Sequence, residues 1–221
     1  MDLSPVEARV IGSLAEKRLT TPQQYPLTIN ALLLACNQSS NRDPVVAYDE
    51  GTIEPALSSL REAGLLRLVH PSHGRSATRY RQVLDEKFGL DDRGLSILAV
   101  LLLRGPQTIG ELRSRTERMA PFESLEDVEA ELDRMADGDD PLVSRLQRRP
   151  GQKEERWAET LSAAAATEAS VDGGAASLPD QGRSESLGDE VAALRADLGT
   201  LQQEVTSIGA AVTELRTALG L

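Results

Sequence analysis

The stretch "LLRLVHPSHGRSATRYRQ", Leu65 to Gln82, decides how the first half of this chain is read. It runs as strand, glycine-containing turn, strand, the pattern of a β-hairpin. Three short helices precede it. Ser4 is the expected N-cap of the first, with Pro5 at the first helical position and Glu7 completing a capping box. Val6, Val10, Ile11 and Leu14 then recur at helical spacing. Thr28 opens the second helix, where Leu27 and Leu32 can form a hydrophobic staple. The third is expected from about Thr52 to Ala63, with Ile53, Ala56, Leu60 and Ala63 on one stripe and Gly64 at its end. Three short helices followed by a hairpin make a winged helix, a variant of the helix-turn-helix.

The same order returns after Leu90. Asp91 caps "DDRGLSILAVLLLRG", and Thr108 with Glu111 forms a second capping box. A third helix follows Ser124, with Leu125, Val128, Leu132 and Met135 as its stripe, and "LVSRLQRRPGQKEERWAE" reads as strand, turn, strand. The halves superpose at offsets of 87 (Ser4 to Asp91, Leu14 to Leu101), 72 (Ile53 to Leu125, Leu60 to Leu132) and 77 (Leu65 to Leu142, Tyr80 to Trp157). Length differences then fall in the connections, as an internal repeat requires. The fold class expected is mainly α with small β-hairpin wings. Two tandem winged-helix domains span residues 1–85 and 86–160.

A flexible Ala/Gly/Ser linker is expected over 161–185 and a coiled-coil helix over 186–221. In the latter, Leu187, Val191, Leu194, Leu198, Leu201, Val205, Ile208, Val212, Leu215 and Leu219 follow one another in alternating steps of four and three. That heptad seam calls for partner helices. Val dominates one set of seam positions and Leu the other, which favours a parallel homodimer. The alternative is a tail that folds back as an amphipathic helix.

Several functional classes are disfavoured. The lone cysteine, Cys36, excludes an intramolecular disulfide framework. No secretory signal is evident, and the longest apolar run, Ile97 to Leu103, is too short to span a membrane, so a cytoplasmic protein is expected. Cys36 shares a helical stripe with Ile29, Leu32 and Leu33, which is the position of a core residue. The only histidines, His70 and His73, belong to the expected first wing, away from any nucleophile. They lack the further ligands that a closed zinc site needs. No P-loop appears. No enzyme activity, cofactor or metal is expected.

With these motifs quoted, the strings "LAEKRLTTPQQYPLTINALLLACNQSSNRDPV" and "LLLRGPQTIGELRSRTERMAPF", and the ending "PLVSRLQRRPGQKEERW", resemble the YceH-like family of uncharacterised bacterial tandem winged-helix proteins. The resemblance covers roughly residues 3 to 160 and implies two winged-helix domains in a cytoplasmic bacterial protein. It implies no activity.

Charge supplies the remaining signal. The formal net charge is −11, yet residues 1–84 carry 9 basic and 8 acidic side chains, while 85–160 carry 12 and 18, and 161–221 carry 3 and 9. From Ala63 to Leu84 there are four arginines, two histidines and no acid. DNA binding and transcription regulation through the first domain's third helix and wing are therefore expected, by Thr52, Ser58, Arg61, Arg67, His73, Arg75, Arg79 and Arg81. The competing expectation is a protein-interaction adaptor that uses the acidic second domain and the coiled coil. Glu54 and Glu62 on the third helix, and the acidic "SLEDVEAELDRMADGDD", oppose a polyanion. "NQSSNRDP" after Cys36 either presents donors beside the third helix or ends the second helix at Asn37 with a turn at Asp43-Pro44, with the structural role favoured. "ELRSRTERM" reads as a salt-bridged surface. Candidate partners are double-stranded DNA or a protein, with a second copy of the chain through the tail.

Overall fold

The computed structural model describes residues 2–70, 77–148 and 154–162, all within one compact unit, Met1–Gly173. The linker beyond Ser162 and the heptad positions from Leu187 to Leu219 lie outside the described residues. The described residues are mainly helical with small antiparallel strand pairs. Their order is α1 (Pro5–Thr20), β1 (Leu27–Thr28), α2 (Ile29–Cys36), α3 (Glu50–Glu62), β2 (Leu66–Val69), β3 (Arg79–Gln82) and α4 (Leu84–Phe88). Then come α5 (Asp92–Arg104), α6 (Ile109–Thr116), α7 (Leu125–Ala136), β4 (Val143–Leu146) and β5 (Arg156–Glu159).

The helix starts follow from their caps. Ser4 Oγ accepts from the Glu7 N–H at 3.3 Å, and the Glu7 carboxylate accepts from the Ser4 N–H at 2.7 Å. Thr108 with Glu111 and Ser124 with Asp127 form the same reciprocal box, while Thr28 and Asp91 cap with the side chain alone. Helix α3 begins two residues earlier than its apolar stripe suggested. Asp49 captures both the Thr52 N–H (2.8 Å) and the Thr52 hydroxyl (2.6 Å), so Thr52 sits inside the first turn.

The repeat extends to individual hydrogen bonds. The Leu65 N–H donates to the Leu60 carbonyl and the Leu142 N–H to the Met135 carbonyl, both at 2.9 Å. The third helices therefore match at an offset of 75, as their N-caps Asp49 and Ser124 also do, and not at 72. On this register Ile53 corresponds to buried Val128. Leu125 is 46% exposed and Ala63 is exposed too, so neither belongs to the stripe expected of it. Leu27 pairs with Tyr80, and Gln107 bridges to Trp157, at the corresponding places. Gln82 Oε1 caps the Leu84 N–H at 2.5 Å, and the Glu159 carboxylate caps the Leu161 N–H at 2.6 Å. Positive-φ glycines, Gly64 and Gly138, lie between third helix and hairpin in both sets.

One core runs through both sets. Helix α5 is buried from Gly94 to Leu103 and packs along α1, where Gly12 lets Leu102 and Leu103 approach; a Cβ there would lie 3.0 Å from Leu102 Cβ. Each large apolar side chain buried there contributes about 1.5–3 kcal/mol. Cys36 is part of this core, and burial pushes its thiol pKa up.

The segment after Cys36 is structural. Asn37 caps α2 and exchanges hydrogen bonds with the Tyr48 backbone at 2.7 and 2.8 Å. Arg42, whose side chain has no exposure, pairs with Glu16 at 2.5 Å and donates to the Ala35 and Asn41 carbonyls. Leu161 and Ser162, assigned from composition to the linker, are buried here. The Leu3 N–H donates to the Leu161 carbonyl at 2.7 Å. Among the described residues no helix is long and apolar enough to cross a membrane.

Candidate nucleic-acid interface

Helix α3 buries Ile53, Ala56, Leu57 and Leu60 and leaves Glu50, Thr52, Glu54, Ser58, Arg61 and Glu62 exposed. Arg61, in the last turn, is the exposed cation of that helix. Ser58 donates to Glu62 at 3.4 Å, and Thr52 is held by Asp49. Those Thr52 bonds lower the Asp49 carboxyl pKa, which keeps the carboxylate charged. The outward side of α3 thus offers one guanidinium among several carboxylates.

The hairpin places its arginines in register but does not leave them free. Arg67 and Arg81 stand opposite each other across β2 and β3, and both reach Glu86 in α4, at 2.8 and 2.5 Å. Tyr80, between Arg79 and Arg81, is half-buried against the core, as strand alternation requires. Arg79 donates to the Pro26 carbonyl at 2.8 Å. The corresponding Arg156 donates to the Pro106 carbonyl, also at 2.8 Å. A contact present in both sets ties each hairpin to the lead-in of its second helix. His73 and Arg75 lie outside the described residues.

The second hairpin repeats the neutralisation. The Arg145 guanidinium lies 4.9 Å from the Trp157 ring centroid and pairs with Glu155, Glu129 and Asp133 at 3.1, 3.3 and 3.9 Å. Arg148 meets Glu155 at 3.6 Å. In "ELRSRTERM", the expected salt-bridged surface is partly formed: Arg115 pairs with Glu111 at 3.4 Å, whereas Arg113 donates to the Phe122 and Glu123 carbonyls. Arg149 and Lys153 lie outside the described residues.

Glu86 is the residue that sequence reasoning missed. It falls two positions beyond the acid-free window that ended at Leu84, yet it faces two of that window's arginines. Exposed ion pairs are worth only about 0–1 kcal/mol each. A phosphate can therefore compete for such an arginine, but it must displace the Glu86 carboxylate to do so. Among the described residues no group of three or more metal-ligating side chains converges, and His70 is exposed.

The family model described as "Protein of unknown function, DUF480" matches residues 3–152. A UPF0502 protein of Geobacter metallireducens is 51% identical over 162 residues, covering 73% of each chain. One of Solibacter usitatus is 45% identical over 198 residues, covering 87% of this chain and 93% of its own, and one of Mesorhizobium japonicum is 43% identical over 203 residues, covering 90% and 96%. The last two shares are too large to stop at Ser162, so the similarity enters the tail.

Proposed function

The chain belongs to the DUF480 (UPF0502) family of bacterial proteins, and from that premise we propose a non-enzymatic protein-interaction adaptor. Two tandem winged helices form its body, and a C-terminal coiled coil pairs two copies. The twice-repeated order of three helices and a hairpin supports the winged-helix reading. Cys36, buried with a raised thiol pKa, offers no accessible thiolate, which supports the non-enzymatic reading.

One observation carries the choice of adaptor over DNA binder. The arginines that a winged helix would lay on phosphates are committed within the protein, Arg67 and Arg81 to Glu86 and Arg79 to a backbone carbonyl. The exposed sides of α3 and α7 add Glu50, Glu54, Glu62, Glu126 and Asp133. Such faces repel a polyanion and suit a protein that presents basic groups. DNA binding remains the rival, carried by Arg61 and by whatever Arg75 adds.

The test is retention of the full-length protein on fragmented genomic DNA across a salt series, beside an Arg61→Glu/Arg67→Glu double variant. The adaptor reading expects no retention at physiological ionic strength for either protein. Retention that falls steeply with salt and disappears in the variant would establish DNA binding instead. The same preparation and a chain ending at Ser184 are compared for mass in solution. The coiled-coil proposal expects a dimer that becomes a monomer on truncation, and an unchanged oligomeric state removes it.

A further inference from the structure

A cavity of about 380 Å³, with no residue of β2–β5 in its lining, opens where four segments meet. They are the last turn of α1, the connection after α2, the last turn of α5, and α6 with the residues that follow it. Lys17, Arg104, Arg115 and Arg118 line it, against the single lining carboxylate of Glu16. Glu16 is already engaged by the buried Arg42 at 2.5 Å and lies 3.7 Å from Lys17. Four cations against one carboxylate leave a formal excess of three positive charges on the lining. Outside the lining, Glu111 meets Arg115 at 3.4 Å but is shared with Arg156 at 3.3 Å.

Lys17 donates to Gln38 Oε1 at 3.3 Å, but Arg104 and Arg118 are poorly served by the protein itself. Arg104 has a buried Nε with no hydrogen-bond partner, and its Nη1 lies 3.5 Å from Asn41 Oδ1, the outer limit of a hydrogen bond. A buried N–H without an acceptor is uncommon in a folded protein and calls for a partner. Arg104 and Arg115 line the same cavity, and burial lowers the Arg115 pKa, with the neighbouring Arg104 charge adding to the effect. Arg118 is exposed and has no ion pair among the described residues. The hydroxyls of Ser40 and Ser114 complete a lining that is more polar than apolar.

We propose that this cavity binds a phosphorylated small molecule, with Arg104, Arg115, Arg118 and Lys17 receiving its phosphoryl group. Guanidinium forks match phosphate oxygens in pairs, and three of them with the Lys17 ammonium suit a dianion better than a monocarboxylate. The volume falls in the range of small-molecule sites. Ser40, Asn41 and Ser114 then face the uncharged part of the ligand. Residues of both helix-hairpin sets build the walls, so occupancy fastens one set to the other. The inference rests on the lining alone and is independent of what docks on α3.

The test is calorimetric titration of the full chain with sodium pyrophosphate as the probe, at low chloride, with thermal melting in parallel. Saturable binding near one site per chain and a raised Tm are expected. Arg118→Gln, a change at an exposed position, and Arg104→Gln should each weaken binding roughly ten- to hundredfold, the loss of a charge-assisted hydrogen bond. Arg61→Gln, on α3, should leave it unchanged. Absence of binding, or equal affinity in the native protein and the Arg118→Gln variant, overturns the proposal. So does displacement of pyrophosphate by a short DNA duplex, which would assign the cations to a nucleic-acid backbone.

Discussion

The two helix-hairpin sets differ most where they are least repeated, in the connection between second and third helices. That connection spans residues 37–49 in the first set and 117–124 in the second. The contacts that close each hairpin onto its helices recur with the same geometry: Arg79 and Arg156 on proline carbonyls, Gln82 and Glu159 on the N–H two residues ahead. The longer first connection adds something the second lacks, a buried guanidinium. Arg42 reaches back from it to Glu16 of α1 and to the Ala35 carbonyl in the last turn of α2, and donates to the Asn41 carbonyl within the connection. Backbone closure is thus common to both sets, and the connections are where each set became specialised.

The sharpest way to break that contrast is Arg42→Met. The substitution takes from nearly buried Glu16 the guanidinium at 2.5 Å, leaving it Lys17 at 3.7 Å, and removes the donor from the Ala35 and Asn41 carbonyls. Truncating one partner of such a pair costs about 3–5 kcal/mol. Chemical denaturation of the full chain should show a loss of that size. A loss below about 1 kcal/mol, the worth of an exposed pair, would mean that the first connection is not a brace.

A smaller effect separates the sets by pH. The first set contains Cys36 and Tyr25, whose pKa values burial pushes up, and residues 86–160 contain neither cysteine nor tyrosine. Each group keeps its proton in the folded chain at pH values where the unfolded chain has released it. The stability this gives is complete below the unfolded pKa, about 8.5 for cysteine and 10 for tyrosine, and is lost as pH rises beyond it. The slope is up to about 1.4 kcal/mol per group per pH unit. Equilibrium unfolding from pH 7 upward should show the decline beginning near the cysteine value. Cys36→Ala should postpone it toward the tyrosine value, and an unchanged onset in that variant would refute the assignment.

The sequence made the helix starts and the repeat legible because caps are local chemistry. Ser4, Thr28, Asp91, Thr108 and Ser124 each cap as their side chains dictate. Leu60 and Leu132 are both fully buried leucines, so a leucine-to-leucine match of the third helices conceals a three-residue slip that the caps Asp49 and Ser124 and the Leu65 and Leu142 N–H bonds reveal. Leu125 was placed in a stripe by spacing, although a residue one position past an N-cap can face outward. The ion pairs of the wing are hidden from the window Ala63 to Leu84 for a different reason: Glu86 belongs to the next helix and is brought to Arg67 and Arg81 by the turn after β3. The cations of the cavity come from positions 17, 104, 115 and 118, so packing alone assembles them and no local pattern announces the site.

The finest discrimination is between Arg79 and Arg156, which the repeat makes equivalent and the sequence reading did not. If both are structural clamps, Arg79→Ala and Arg156→Ala should each cost about 0.5–1.5 kcal/mol, the worth of one hydrogen bond. Arg156 should stand slightly higher, because it also approaches Glu111 at 3.3 Å while the Arg79 bond is exposed to water. The two losses should add in the double variant, since the hairpins share no partner. Melting of the three variants decides the matter. A measurable loss at Arg156 with none at Arg79 would release Arg79 from its structural role, returning to the first hairpin a guanidinium free to meet a phosphate and weakening the choice of adaptor over DNA binder.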